Sequence, residues 1–138
     1  MSVTLPPDYR PHEDEEFMSE QQREYFRLKL LKWRSELIKE AEETLEHLQD
    51  GGLQEPDIAD RASAEMDRAL ELRTRDRARK LIAKIDAALG RLEDGTYGYC
   101  EETHEPTSLR RLEARPIATL SLEAQERHER MERTHRMD

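Results

Sequence analysis

Apolar residues recur along two stretches of this chain at alternating steps of four and three. That is the spacing of a helix that hides one narrow stripe. In the first stretch the stripe is Phe26, Leu30, Trp33, Leu37, Ala41, Thr44 and Leu48, with charged residues on the other faces. Ser19 followed by Gln22 has the form of a capping box and marks the start of the helix, and Asp50-Gly51-Gly52 ends it. In the second stretch Ala62, Met66 and Ala69 form one seam, and Ala78, Ile82, Ile85, Leu89 and Leu92 form another, until Gly95 closes the helix. Between these seams residues 73–80 are almost wholly charged, with Glu71 and Arg75, and Asp76 and Lys80, paired at helical spacing. Prolines frame the two blocks: Pro6, Pro7 and Pro11 before them, Pro56 between them, Pro106 and Pro116 after them. The pattern predicts two antiparallel helices, each arm about 45 Å long at 1.5 Å per residue. A turn over Gly51 to Pro56 joins them, and the second helix starts near Asp57 or Asp60, where a carboxylate can accept orphan backbone N–H bonds.

The ends read differently. Residues 1 to about 16 are polar and proline-marked, an expected extended or poorly ordered lead. After Gly95 come Tyr97-Gly98-Tyr99-Cys100, a loop with Pro106, and Arg110 to Pro116, expected as a short strand or an extended stretch. A last helix is expected from Ser121 to His135, capped by Ser121 or Thr119. Tyr97, Tyr99, Leu109, Leu112, Ile117, Leu120 and Leu122 are the expected core of this region. The fold class is thus all-α: a long antiparallel coiled-coil hairpin with a small globular base and a C-terminal helix. Its expected parts are a lead (1–18), the hairpin (19–95, tip near 51–62) and the base (96–138).

Composition narrows the function. With 35% hydrophobic and 40% charged residues, most side chains must stay in water, which suits a slender hairpin better than a compact core. A net charge of -9 works against attraction to nucleic-acid phosphates, so direct DNA binding is not expected. The single cysteine, Cys100, rules out an intramolecular disulfide and fits a reducing compartment. No apolar run approaches the roughly 20 residues of a membrane span, and residues 1–16 lack the form of a signal peptide. The expectation is a cytoplasmic, monomeric protein. Without a phosphate-cradling glycine loop or a nucleophile paired with a base, it is not expected to be an enzyme.

Three segments carry a family resemblance. They are Asp57-x-x-Asp60-x-Ala62; the run Glu71 to Arg77 through Lys80-Leu81-Ile82, leading into Tyr97-Gly98-Tyr99-Cys100; and Arg110-Arg111-Leu112-Glu113-Ala114-Arg115-Pro116. In this order around a hairpin they resemble the DksA/TraR family of bacterial RNA polymerase-binding transcription factors. The resemblance implies a regulator whose coil enters the secondary channel of the polymerase and places Asp57, Asp60 and Ala62 near its active site. It further implies that Arg77, Lys80, Leu81, Lys84, Arg111 and Arg115 bind guanosine tetraphosphate, the effector of the stringent response. Gln125 stands where the family has one further basic residue. The family's zinc site has the pattern C-x2-C-x17-C-x2-C, which falls on Cys100, Thr103, Ser121 and Ala124. One thiol of four survives, and His104 and His128 lack the ordered spacing, so zinc is not expected.

Other readings stand beside this one. Asp57 and Asp60 have a purely local role open to them as helix caps. The basic run from Arg73 to Lys80 reads equally as a solvated helix face. Acidic residues at a coil tip would also suit a Gre-like transcript cleavage factor holding a magnesium ion. A helical-hairpin adaptor unrelated to polymerase is a third alternative.

Overall fold

The computed structural model describes residues 3–50 and 58–137. Its elements are four helices: α1 (Glu20–Asp50), α2 (Ile58–Asp94), α3 (Leu109–Ala114) and α4 (Leu122–Met137). Among the described residues there is no strand; one isolated bridge pairs Tyr99 with Pro106. The expected turn at Gly51 to Pro56 and its neighbour Asp57 lie outside the described residues.

The helix ends follow their capping chemistry. At α1 the Gln22 N–H donates to Ser19 Oγ (3.3 Å), while Gln22 Oε1 accepts the Met18 N–H (2.8 Å). The reciprocal bond of the box therefore reaches one residue further back than the simplest form. At α4 Ser121 Oγ accepts the Ala124 N–H (3.2 Å), as its sequence position promised. Gly95 ends α2 at φ +84, and the N–H groups of Thr96 and Tyr97 both return to the Arg91 carbonyl.

The chain divides into two compact units, residues 1–30 with 87–138, and residues 31–86. The second unit holds α1 and α2 side by side as an antiparallel hairpin. Arg34 pairs with Asp86 (2.9 Å), and Leu37, Ala41 and Thr44 line one groove with Thr74, Ala78 and Leu81. Burial corrects the expected seam near the tip. Ala62 and Ala69 are exposed and Met66 is 67% exposed. Stepping back from Ile85 by four and three leads through Ile82, Ala78, Thr74, Glu71 and Asp67, the half-buried positions. The register set by Ile85 and Ala78 carries along the rigid helix, so the inner face there is polar and Met66 is turned outward. Thr44, expected in the first seam, is also exposed.

The first unit carries the core: Phe26, Leu30, Ala88, Leu92, Tyr97, Cys100, Leu109, Leu112, Ala118 and Ala124 are buried. Several expectations fail here, Tyr99 among them, expected in the core but 38% exposed. Arg110 to Pro116 is mostly helix, not strand. Ser108 Oγ caps the Arg111 N–H (3.2 Å), and Leu109 and Leu112, three apart, bury one face. The lead is also not free. Tyr9 donates to Glu15 (2.9 Å) and stands edge-on to Tyr25, with centroids 6.1 Å apart, and Phe17 stands edge-on to Tyr99 (5.3 Å). Its two aromatic rings give this polar segment enough apolar surface to dock. Leu122, expected in the core, is 57% exposed, and the small Ala124 is buried instead.

Gly98 is a point of close approach. Its φ is +89, and a methyl group there would stand 3.0 Å from both Met18 Cε and Phe17 Cζ. Gly98→Ala is expected to cost about 2–4 kcal/mol, the left-handed backbone and the crowding adding together. A thermal melt unchanged from wild type would contradict this docking of the lead.

Candidate functional site

Helix α2 supplies most of the implicated residues because it is unbroken for 37 residues. Asp60 lies in its first turn, where the helix dipole favours a carboxylate. Ala62, one half-turn on, is exposed. Further along, Arg77, Lys80, Leu81 and Lys84 sit at helical spacing on adjoining strips of one side of α2. Arg77 and Leu81 also line the groove beside Leu37 and Glu40. Lys80 is paired with Asp76 (2.9 Å), which Arg79 also approaches (2.8 Å). The hydrogen bonds from Lys80 and Arg79 hold the Asp76 carboxyl below its ordinary range.

Arg111 and Arg115 belong to the other unit, at α3. Arg115 is exposed, and its backbone N–H closes the helix on the Arg111 carbonyl (2.8 Å). Arg111 donates from Nε to the Leu120 carbonyl (2.8 Å), which ties α3 to the segment before α4. Part of its guanidinium is therefore already used structurally. Between them Glu113 receives Tyr25, whose hydroxyl burial, a hydrogen bond from it to Glu113 and that carboxylate's charge push its pKa up to about 12. Arg10 and Lys29 each stand 3.8 Å from Glu113 Oε2. No periodicity in the sequence marks these contacts of Glu113 with the lead; the aromatic residues Tyr9 and Phe17 in an otherwise polar segment are the signal it carries.

Cys100, the first of the four positions of the family's metal ligands, is buried. Burial opposes its thiolate, yet a hydrogen bond from the Thr103 hydroxyl and others from the backbone N–H groups of Ser121, Thr103 and Glu102 outweigh this and lower the thiol to about 6. Backbone bonds surround it, from Cys100 N–H to Glu105 (2.9 Å) and from Glu101 N–H to Thr119 (2.9 Å). Tyr97 completes the frame by donating to the buried Pro116 carbonyl (2.8 Å); burial raises its pKa. His128 of α4 meets Glu102 at the same loop.

Because the Cys100 pKa is depressed from its ordinary 9, its contribution to stability is fully present above about pH 9. It is lost as pH falls toward 6. Unfolding free energy should therefore rise between pH 6 and pH 9 in the wild type. Cys100→Ser keeps an acceptor for the same donors without titrating, and should flatten that slope. Parallel pH–stability curves for the two proteins would refute the assignment.

Comparison with known proteins supplies the family. A family model described as the DnaK suppressor protein DksA, N-terminal domain, matches residues 22–92. The chain belongs to the DksA family. A second model, described as the prokaryotic dksA/traR C4-type zinc finger, matches residues 95–130. An RNA polymerase-binding transcription factor DksA from Caulobacter vibrioides (strain NA1000 / CB15N) is 66% identical over 131 residues, 95% of this chain and 92% of that protein. The protein of the same description from Escherichia coli (strain K12) is 45% identical over 115 residues, 83% of this chain and 76% of its own length. The solved structure of transcription factor DksA2 from Pseudomonas aeruginosa matches with a TM-score of 0.77 at 48% identity, covering 85% of this chain and 90% of that one. These DksA likenesses support neither the cleavage-factor nor the adaptor alternative.

The zinc that the second family description names does not fit the residues present. A closed structural site needs four thiolate or imidazole donors. At the four positions stand a thiol, the Thr103 hydroxyl directed to that thiol, the Ser121 hydroxyl spent as a helix cap, and the buried methyl group of Ala124. Among the described residues no group of three His, Cys, Asp or Glu is placed to hold a metal ion.

Proposed function

We propose that this chain binds bacterial RNA polymerase and regulates promoter complexes by inserting the end of its α1–α2 hairpin into the secondary channel. The observation that carries this is 66% identity over 95% of the chain to a protein described as an RNA polymerase-binding transcription factor. In this reading the lead (1–18) and the base (96–138) hold the outside of the enzyme, while the hairpin (19–95) delivers Asp57, Asp60 and Ala62 toward the catalytic centre. A long, strongly charged hairpin with a lean apolar seam suits a pore, since little of its surface seeks burial.

Guanosine tetraphosphate is the effector we assign to Arg77, Lys80, Leu81 and Lys84 of α2 and to Arg111 and Arg115 at α3. Guanidinium groups grip phosphate bidentately and ammonium groups add point charge. With Lys80 engaged by Asp76, Arg111 by Leu120 and Gln125 in a basic position, the response is expected to be weaker than with a full basic set. The protein acts as a cytoplasmic monomer, without direct DNA contact and without zinc.

The test is transcription in vitro with purified polymerase from the same source. The chain should inhibit a stable-RNA promoter, more strongly with guanosine tetraphosphate, and should not shorten transcripts in stalled complexes. Failure to bind polymerase would end the proposal; unchanged inhibition on adding the nucleotide would end its effector clause alone.

A further inference from the structure

Helix α3 and its cap carry three arginines, Arg110, Arg111 and Arg115, and a single carboxylate, Glu113. The effector reading uses Arg111 and Arg115, so a negative charge stands in the middle of a segment assigned to phosphates. Helix geometry keeps it there, because residues two apart do not face each other and neither arginine folds back on Glu113. Yet Arg111 is only about 3 Å away along the helix axis, inside the roughly 8 Å over which physiological salt screens a charge. Glu113 follows Leu109 by one turn, at the edge of the buried face, and its Oε1 is buried without a hydrogen-bond partner. A carboxylate so placed is screened less than an exposed one. The cations that do reach it come from elsewhere in the chain: Arg10 Nη1 and Lys29 Nζ each stand 3.8 Å from Oε2.

We infer that Arg10 of the lead and Lys29 of α1 are the counter-charges of the α3 part of the effector site: by neutralising Glu113 they leave Arg111 and Arg115 to attract an anionic nucleotide. The inference rests on the guanosine tetraphosphate reading and adds two residues, from outside α2 and α3, that set the strength of the response. A purely structural ion pair is the plain alternative, and the geometry fits it less well. One cation balances one carboxylate, whereas here two are drawn to the same oxygen. Contacts of 3.8 Å, one of them from an Arg10 side chain 77% exposed, contribute little to stability. Their charge nevertheless acts at range on a ligand that carries several negative charges. Counter-charging therefore explains what stability leaves over.

The test uses the full chain with purified polymerase, each variant at a concentration that saturates the enzyme. It reads the guanosine tetraphosphate concentration that gives half of the extra promoter inhibition. The double variant Arg10→Gln, Lys29→Gln should raise that concentration about fivefold at low salt, and by less as salt is added. Its thermal melt should stay close to wild type. Adding Glu113→Gln to the pair should bring the response back to within about twofold of wild type, because glutamine keeps the shape and removes the charge. Glu113→Gln alone should not weaken the response. A double variant that responds like wild type overturns the inference. So does a triple variant that stays as weak as the double or weaker, since the cations would then act by direct contact or by packing. If wild type shows no response to the nucleotide, the effector reading itself falls, and this inference with it.

Discussion

Asp60→Asn will leave the fold and polymerase affinity close to wild type and will remove promoter regulation. Asp60 lies inside the first turn of α2, two residues after Ile58, and asparagine keeps its size and shape there. The structural cost is therefore the loss of one favourable charge–dipole contact, about 0.3–1 kcal/mol. Function should respond far more. A carboxylate acting on polymerase elements loses a charge-assisted bond when made neutral, about 1.5–3 kcal/mol, or roughly ten- to a hundredfold in effect. Dose–response curves of promoter inhibition, set beside direct binding curves, separate the two. Inhibition by the variant at wild-type potency would leave the aspartate as a favourable charge in the first turn of α2 and nothing more.

Phe26→Ala is expected to cause the largest loss of stability, about 3–5 kcal/mol. The Phe26 ring is fully buried and meets Tyr25 at 5.2 Å and Tyr97 at 5.5 Å between centroids. It is buried in the unit that also contains the loop around Cys100, whose residues do not make up a zinc-ligand set. In small zinc modules the ion contributes on the order of 10 kcal/mol to folding. On the proposed zinc-free reading that role passes to packing and backbone bonds, so a cavity at Phe26 would have no metal site to compensate for it. A domain holds about 5–15 kcal/mol in total, so the melting temperature should fall by about ten degrees or more. Neither zinc nor a chelator should alter the difference. A loss under about 1 kcal/mol would mean that the packing around this ring is not what stabilises the unit.

Much of this was legible in the chain because helices announce themselves locally. The four-and-three spacing from Phe26 to Leu48, the caps at Ser19 and Ser121, and the stop at Gly95 are short-range features set by backbone geometry. Arg110 to Pro116 was harder, since six helical residues are too few to display a period; Ser108 and the buried pair Leu109 and Leu112 decide it. Among site residues, the placement of Arg77, Lys80, Leu81 and Lys84 on one side of α2 followed from spacing alone. That Arg111 is tied to the Leu120 carbonyl, nine residues on, did not.

What the sequence by itself determined is therefore the helical class, the two long arms, the single thiol in a motif built for four, and the run of cations on α2. What only the tertiary structure decided is which faces meet. Tyr9 and Phe17 turned a polar lead into part of a packed unit. Glu113 collected Tyr25, Arg10 and Lys29 from distant segments. Met66, apolar and well spaced for a seam, was turned to the outside. For Met66 the physical reason is that periodicity fixes which residues share a helix face, but burial goes to the face that the neighbouring element covers, and Ile85 and Ala78 set that register. The other two depend on contacts between segments far apart in the chain, which no local spacing encodes.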